Sequence, residues 1–213
     1  AQASVIDNAW MLTQIVHPYG DTITIRYKPC QFVYSSGVSQ TFTSNLKAQT
    51  SGGCNFCPEK TKFTNCVSSI RNNGLLIDKI YSNYRGYVQF NYAPRLDVLG
   101  DSALSSITVF DATVDRFQNV NYYDQQPKKI ISFEYEFPSG YGFNGGLGSS
   151  IDKRMFLDNL QICGSLSDLN CKNYFFNYNK MNELPPRLSY AQDHFGFFNG
   201  KSNASLVPPP LSD

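Results

Sequence analysis

The chain has 213 residues, enough for one large all-β domain or two small ones with a real core. Its 18 basic and 17 acidic side chains nearly cancel, to a formal charge of +1, and neither sign is clustered, which argues against a nucleic-acid partner or an anionic membrane surface. Charged residues make up 16% of the chain, below the roughly 25% usual in soluble domains, while aromatics, nearly all Tyr and Phe, reach 15%, a bias that suits cross-strand packing in sheets.

No apolar run approaches the roughly 18 residues that a membrane-crossing helix needs, so the chain is not expected to span a bilayer. A basic start followed by an apolar stretch is also missing from the N-terminus. The first hairpin opens almost at once, at Trp10 and Leu12, and Pro208-Pro209-Pro210 reads as a linker leading onward. We therefore expect an internal piece of a longer polypeptide.

In chain order, Leu12 and Ile15, the turn His17-Pro18-Tyr19-Gly20-Asp21, and then Ile23, Ile25 and Tyr27 predict a first hairpin. Pro29 to Cys66 alternates only weakly, in Phe32-Val33-Tyr34 and Gln40-Thr41-Phe42, and includes the Ser/Gly-rich stretch Thr50 to Gly53. It reads as a long excursion, 29–73, held by cysteines rather than by a core. Asn72-Asn73-Gly74 is a turn signal just before the second hairpin.

That second hairpin is the clearest. Ile77 and Ile80 precede a turn closing on Gly86, and Val88, Phe90 and Tyr92 then alternate with Gln89 and Asn91, the period-two signature of a strand with one covered face. The pattern repeats near the end, with Leu157 and Leu160, a turn, then Tyr174, Phe176 and Tyr178, and a degenerate copy begins at Leu104 and Ile107. A single hairpin cannot bury its own apolar face, so the repetition predicts an array of related hairpins lying side by side. Residues three apart on a regular strand face opposite ways. Pairs such as Leu12/Ile15 and Ile77/Ile80 therefore require either a bulge or a sheet covered on both faces.

Ile131, Phe133, Tyr135 and Phe137 predict a further strong strand, and Val114 to Tyr123 a weaker one. Gly140 to Ser150 reads as a glycine-rich flexible loop. No segment carries a convincing helical period. The fold class expected is all-β: antiparallel hairpins forming a curved or wound sheet, with little helix. Residues 1–182 form the hairpin-repeat domain, and 183–213 an aromatic C-terminal segment ending in the Pro-rich linker.

Six cysteines bear on compartment. Cys163 and Cys171 flank the turn Gly164 to Asn170 and predict a cross-strand clip. The clustered Cys30, Cys54, Cys57 and Cys66 read either as two disulfides, implying an oxidising compartment, or as a zinc knuckle with Cys30 as the fourth ligand.

The constellations that suggest chemistry are sparse. Asp193-His194 is half of a hydrolytic triad, but no nucleophile elbow or activated cysteine accompanies it. The structural reading has Asp193 capping a turn and His194 bonding a backbone carbonyl under the aromatic cluster; His17 at its turn reads as solvated. Asp97, Asp101 and Asp111 invite a calcium or paired-carboxylate reading, yet the Asp-x-Asp-x-Asp-Gly loop is missing. Exposed Tyr and Phe offer a stacking surface for sugar rings, although alternating strand positions assign most of these rings to the core. Asn203-Ala204-Ser205 fits the N-glycosylation acceptor pattern. No catalytic residue, cofactor or metal site is expected to emerge.

One stretch carries a family resemblance. Leu184-Pro185-Pro186-Arg187, then Tyr190-Ala191-Gln192-Asp193-His194-Phe195-Gly196-Phe197-Phe198-Asn199-Gly200, preceded by Tyr174 to Tyr178, resembles a segment of very large secreted or surface proteins of the Bacteroidota related to the RHS/YD-repeat proteins. Ala9-Trp10-x-Leu12-x-x-Ile15 and Arg95-x-Asp97-x-x-Gly100 before Leu104 resemble it too, so the likeness spans most of the chain.

The resemblance implies a hairpin-rich segment on the N-terminal side of any YD-repeat shell, exported across the outer membrane, often by the type 9 route, and displayed on the cell surface or secreted. Pro185, Arg187, Gln192, Asp193, His194, Gly196, Asn199 and Gly200 are then structural motif residues. Thr22 in Asp21-Thr22-Ile23 and Ser102 in Asp101-Ser102-Ala103 resemble O-glycosylation acceptors of that phylum. Partners would be other segments of the same long chain or surface and export-machinery proteins, with glycan as an alternative ligand. The chain departs from the RHS toxins proper, having no Arg-x-Arg-Tyr-Asp-type core signature, self-cleaving aspartyl motif or toxin domain.

Overall fold

The computed structural model describes residues 10–43, 62–114, 120–138, 153–164 and 170–206. They form one open antiparallel sheet whose strands lie in chain order. β1 is Gln14–Val16, β2 Thr22–Thr43, β3 Lys62–Ser82, β4 Gly86–Pro94, β5 Ser102–Val114, β6 Val120–Glu136, β7 Phe156–Cys163 and β8 Lys172–Phe175. The only helical element among these residues is a 3₁₀ turn, Met181–Glu183. The expected all-β array of antiparallel hairpins is the fold.

The array obeys one register. Within each hairpin the second aliphatic residue of the first strand faces the first apolar residue of the second: Ile15 pairs Ile23, Ile80 pairs Val88, Ile107 pairs Ile131, and Leu160 pairs Tyr174. The step to the next hairpin is equally regular. Ile25 pairs Ile80, Phe90 pairs Ile107, and Phe133 pairs Leu160, while Tyr27, Tyr92 and Tyr135 stand opposite Ile77, Leu104 and Leu157.

At each of these three junctions one residue of the incoming strand is skipped: Asp78, Ser105 and Asp158. These are β-bulges, and the extra residue reverses the alternation so that two apolar residues three apart reach the same face. That settles the choice between bulge and two-sided cover. It also completes the degenerate copy at Leu104, whose second strand, Ile131 to Tyr135, lies beyond an intervening extension of β5 and β6.

A tyrosine closes each unit. The Tyr27 hydroxyl donates to the Leu12 carbonyl at 2.7 Å, Tyr92 to Ile77 at 2.8 Å, Tyr135 to Leu104 at 2.9 Å, and Tyr178 to Leu157 at 2.9 Å. At Ile77, Leu104 and Leu157 the carbonyl stands just before the bulge residue, Leu12 lies just before β1, and in each case the phenol supplies the donor.

Two expectations for the chain between the first and second hairpins are corrected. Pro29 to Cys66 is not an excursion held by cysteines: β2 and β3 pair almost continuously from Ile23/Ser82 to Thr43/Lys62. Asn72-Asn73-Gly74 is not a turn, because these residues pair Phe32, Gln31 and Cys30 in mid-strand. Backbone pairing to a long partner strand outweighs local turn propensity. The stretch Thr50 to Gly53, residues 115–119, the loop Gly140 to Ser150 and Pro208 to Pro210 lie outside the described residues.

β3 pairs β4 only over Lys79–Ser82, so the β2–β3 arm parts from the sheet at the Asp78 bulge. Gln89 Nε2 fills the split by donating to the Asp78 carbonyl at 3.2 Å. The β4–β5 loop packs back against the arm, with Gly100 at φ +86°, where a Cβ would come within 3.1 Å of the Gln31 carbonyl. The C-terminal segment runs back over the molecule. Arg154, just before β7, donates to the Pro185 carbonyl at 3.1 Å, and the Leu206 amide donates to Gln40 Oε1 on β2 at 2.9 Å. The most buried residues gather under these two coverings: Cys30, Asp97, Val98, Asp101 and Ala103 at the loop, and Leu188 to Ala191 in the segment.

Candidate functional site

The motif segment folds into a hydrogen-bonded knot that presents phenylalanines. Asp193 Oδ1 accepts from the amides of Phe195 at 2.9 Å and Phe197 at 3.0 Å, and the Asp193 carbonyl accepts from Gly196 at 3.1 Å. Gly196 makes the reversal at φ +84°, a region that favours glycine. An isolated bridge joins Gln192 to Phe198, and the Gln192 carbonyl accepts from Asn199 Nδ2 at 3.0 Å and Asn203 Nδ2 at 3.3 Å. Asn199 Oδ1 in turn accepts from the Lys201 amide at 2.9 Å, across Gly200 at φ +70°. Below the knot Pro185 is buried and Arg187 half-buried. The result is a tight loop with Phe195 80% exposed and Phe197 71% exposed, beside a partly exposed Phe198.

Asp193 is thus committed to the turn, as its capping role anticipates. His194 is placed differently from expectation. It is exposed rather than tucked under the aromatic cluster, with its ring edge-on to Phe195 at 5.5 Å. Asp193 Oδ1 is occupied by backbone donors, and the carboxylate makes no hydrogen bond to the His194 ring. His17 is also exposed, its Nδ1 accepting from the Tyr19 amide at 3.3 Å.

The carboxylates meet at an arginine instead of a metal-type loop. Arg95 Nε and one terminal nitrogen grip Asp97 at 3.0 and 2.7 Å, and the other terminal nitrogen reaches Asp101 Oδ2 at 2.8 Å. The bidentate bond to Asp97, ahead of the charge of Asp101, raises the guanidinium pKa further despite the burial that opposes it. Asp101 Oδ1 accepts from the Ser102 amide at 2.8 Å and from Cys30 Sγ at 3.6 Å. Asp97 and Asp101 therefore serve a clamp that closes the β4–β5 loop on itself, and Asp101 alone of the three reaches β2, through Cys30 Sγ. Asp111, on exposed backbone of β5, accepts from the Ala112 amide at 3.0 Å and does not join them. Sequence reading missed this clamp, although Arg-x-Asp with a second Asp four residues on was visible as a loop signal.

Cys163 and Cys171 form the expected disulfide across the β7–β8 turn. The four-cysteine cluster is corrected where it is described. Cys30 pairs Gly74 and Cys66 pairs Ser39, nine residues farther along the same ladder, a separation of roughly 30 Å at strand rise. The two are free thiols, Cys30 buried and Cys66 exposed, and they can share neither a bond nor one zinc ion. Cys54 and Cys57 lie outside the described residues. Burial, and then the neighbouring Asp101, push the Cys30 thiol pKa up, the opposite of an activated nucleophile.

Thr22 and Ser102 both sit half-buried at strand starts, Thr22 beside Gly20 and Ser102 in the Asp101 clamp. The Asn203 amide is engaged with Gln192. The aromatic rings divide between two roles. Tyr92 and Tyr135 are partly buried and their phenol pKa values are raised chiefly by desolvation, whereas Tyr174 and Phe175 on β8 and Tyr178 just beyond it are exposed.

No known protein family, curated protein or solved structure matches the chain.

Proposed function

We propose that this chain is a non-catalytic structural and interaction segment of a secreted or cell-surface β scaffold of the RHS/YD-repeat-like kind. The observation that carries the reading is the common register of four hairpins, each closed by its tyrosine and joined to the next through the same bulge. A device repeated in this way builds length and curvature. The side chains that invite a catalytic reading are spent on architecture: Asp193 on a turn, Asp97 and Asp101 on Arg95.

A disulfide at the β7–β8 hairpin supports an oxidising location. Among the described residues no helix is long and apolar enough to cross a membrane. Other segments of the same long chain, or proteins of the surface and export machinery, are the partners this reading assigns. The test is surface accessibility in the parent cells. Biotinylation of intact cells with an impermeant reagent, followed by peptide mapping, should label Lys201 beside the aromatic knot. Labelling only after lysis would sink the reading.

A second reading rests on the presented rings of Phe195 and Phe197, which suit stacking on a sugar face. A glycan array distinguishes it: saturable binding lost in a Phe195→Ala/Phe197→Ala variant would favour carbohydrate recognition, and no binding favours the scaffold.

A further inference from the structure

The register that joins successive hairpins also specifies what the two edges of the sheet will accept. At every interior junction a strand ending in an apolar-x-Tyr pattern receives a strand with two aliphatic residues three apart and a bulge after the first. β8 and its continuation, Phe176 and Tyr178, have the first pattern, but among the described residues no strand lies on their outer side. β1, with Leu12 and Ile15, has the second pattern and no strand before it among the described residues.

Among the described residues both edges are open. Leu12 is 55% exposed, Ile15 48% and Phe175 69%. The Phe176 amide bonds inward to Asp158, as the Ile25 amide does to Thr13, so alternation turns the backbone groups of Phe175 outward on β8. On β1 the inward bonds at Thr13 and His17 leave Val16 facing outward in the same way. Neither strand contains a proline, β1 has no charged residue, and β8 carries a single charge, Lys172 at its start. Past Tyr178 the described chain turns away from β8, and its Leu206 amide bonds Gln40 on β2.

We propose that the β8 edge of one chain takes β1 of a second copy, adding it as the next hairpin of the array. Tyr178 then stands opposite Leu12 of the added copy and Phe176 opposite its Ile15, with its Thr13 as the bulge, repeating Tyr27/Ile77, Ile25/Ile80 and Asp78. The contact is heterologous, one end of the molecule to the other, so it grows into open chains rather than closing on a dimer. The strands are short and the association is correspondingly weak and concentration-dependent. This inference stands on the register alone, whether or not the protein belongs to a surface scaffold.

Sedimentation velocity of the 213-residue chain over a concentration series tests it, with two blocked variants. Val16→Pro removes an outward donor from β1, and Phe175→Pro removes one from β8; neither residue's N–H is used inside its own hairpin. The wild type should grow in mean mass beyond a dimer as concentration rises. Each variant alone should stay monomeric with an unchanged far-UV spectrum, and an equimolar mixture of the two should stop at the dimer, since each supplies the edge the other lacks. A wild type that is monomeric throughout overturns the proposal. So does assembly that persists in both variants, or a wild type that assembles while the mixture of folded variants does not. If one proline variant fails to fold, mixing the other with wild type must shorten the chains, and failure to do so has the same force.

Discussion

The Tyr92 hydroxyl reaches back fifteen residues to the carbonyl of Ile77, 2.8 Å away, across the point where β3 and β4 part. Tyr27 makes the same bond to Leu12 at the same sequence separation, and the two longer units preserve it. A hydrogen bond repeated in this position is a joint of the array: at Ile77, Leu104 and Leu157 it satisfies the carbonyl just before a bulge residue. Tyr92→Phe keeps the ring and removes the donor, so it should cost about 1–2 kcal/mol in urea unfolding. Tyr178→Phe, at the exposed end, should cost less than about 0.5 kcal/mol. Equal effects at the two sites would show that burial does not set what this bond contributes.

Gly86 closes the second hairpin at φ +117° with the Phe110 carbonyl pressed against its α-carbon, leaving no room for a Cβ. Gly20 closes the first hairpin at φ +95° with nothing within 4 Å. Gly20→Ala should therefore carry backbone strain alone, about 1 kcal/mol. Gly86→Ala adds a clash with β5 backbone and should cost on the order of 3 kcal/mol or more. Thermal or denaturant unfolding of both variants ranks them, and a reversed order would mean the β4–β5 spacing is wrong.

Much of this was legible before any coordinates. Leu12/Ile15 and Ile77/Ile80 required a bulge or a sheet covered on both faces because strand alternation forbids their spacing on one face, and at Ile77/Ile80 the bulge is there, at Asp78. Asp193 was readable as a cap because a short carboxylate before a glycine finds backbone amides locally. The misreadings share a cause. Asn72-Asn73-Gly74 looks like a turn to any local rule, yet it is overridden by a partner strand some forty residues away. Cys30 and Cys66 looked like neighbours because a cluster in sequence becomes a line of thirty ångströms, roughly, once the chain is extended. The strand from Ile131 was legible but not its place as the second half of the copy at Leu104, because Ile131 is separated from Ile107 by the added length of β5 and β6. The Arg95 clamp depends on how residues 95 to 101 fold on one another between β4 and β5, which no periodicity announces.

The Cys163–Cys171 bridge closes a loop of eight residues at the last hairpin. Loop-closure entropy for that length assigns it about 2.5 kcal/mol. Its loss should fall unevenly, because β8 has one neighbour and β6 and β7 are held on both sides. Hydrogen exchange after reduction should show the Tyr174 and Phe176 amides losing protection while Ile80 and Ile107 keep theirs. Uniform loss across the sheet would mean that the hairpin is required by the whole array.

Cys30 and Cys66 should differ sharply in chemistry. Cys66, exposed on β3, should react with a maleimide on mixing, and Cys30, under the Asp101 clamp, only as fast as the molecule opens. Burial and then the Asp101 carboxylate raise the folded Cys30 pKa. The unfolded chain therefore ionises this thiol first, and in alkaline solution it binds fewer protons there than the native state. Stability is unaffected by Cys30 below the ordinary thiol range and falls as pH rises through it toward the folded value. Urea unfolding measured between about pH 7 and pH 10, spanning the ordinary thiol range, should decline more steeply for wild type than for Cys30→Ala. Peptide mapping resolves the labelling rates. A Cys30 that labels as fast as Cys66, or matching pH slopes for wild type and variant, would mean that the β4–β5 loop does not seal this position.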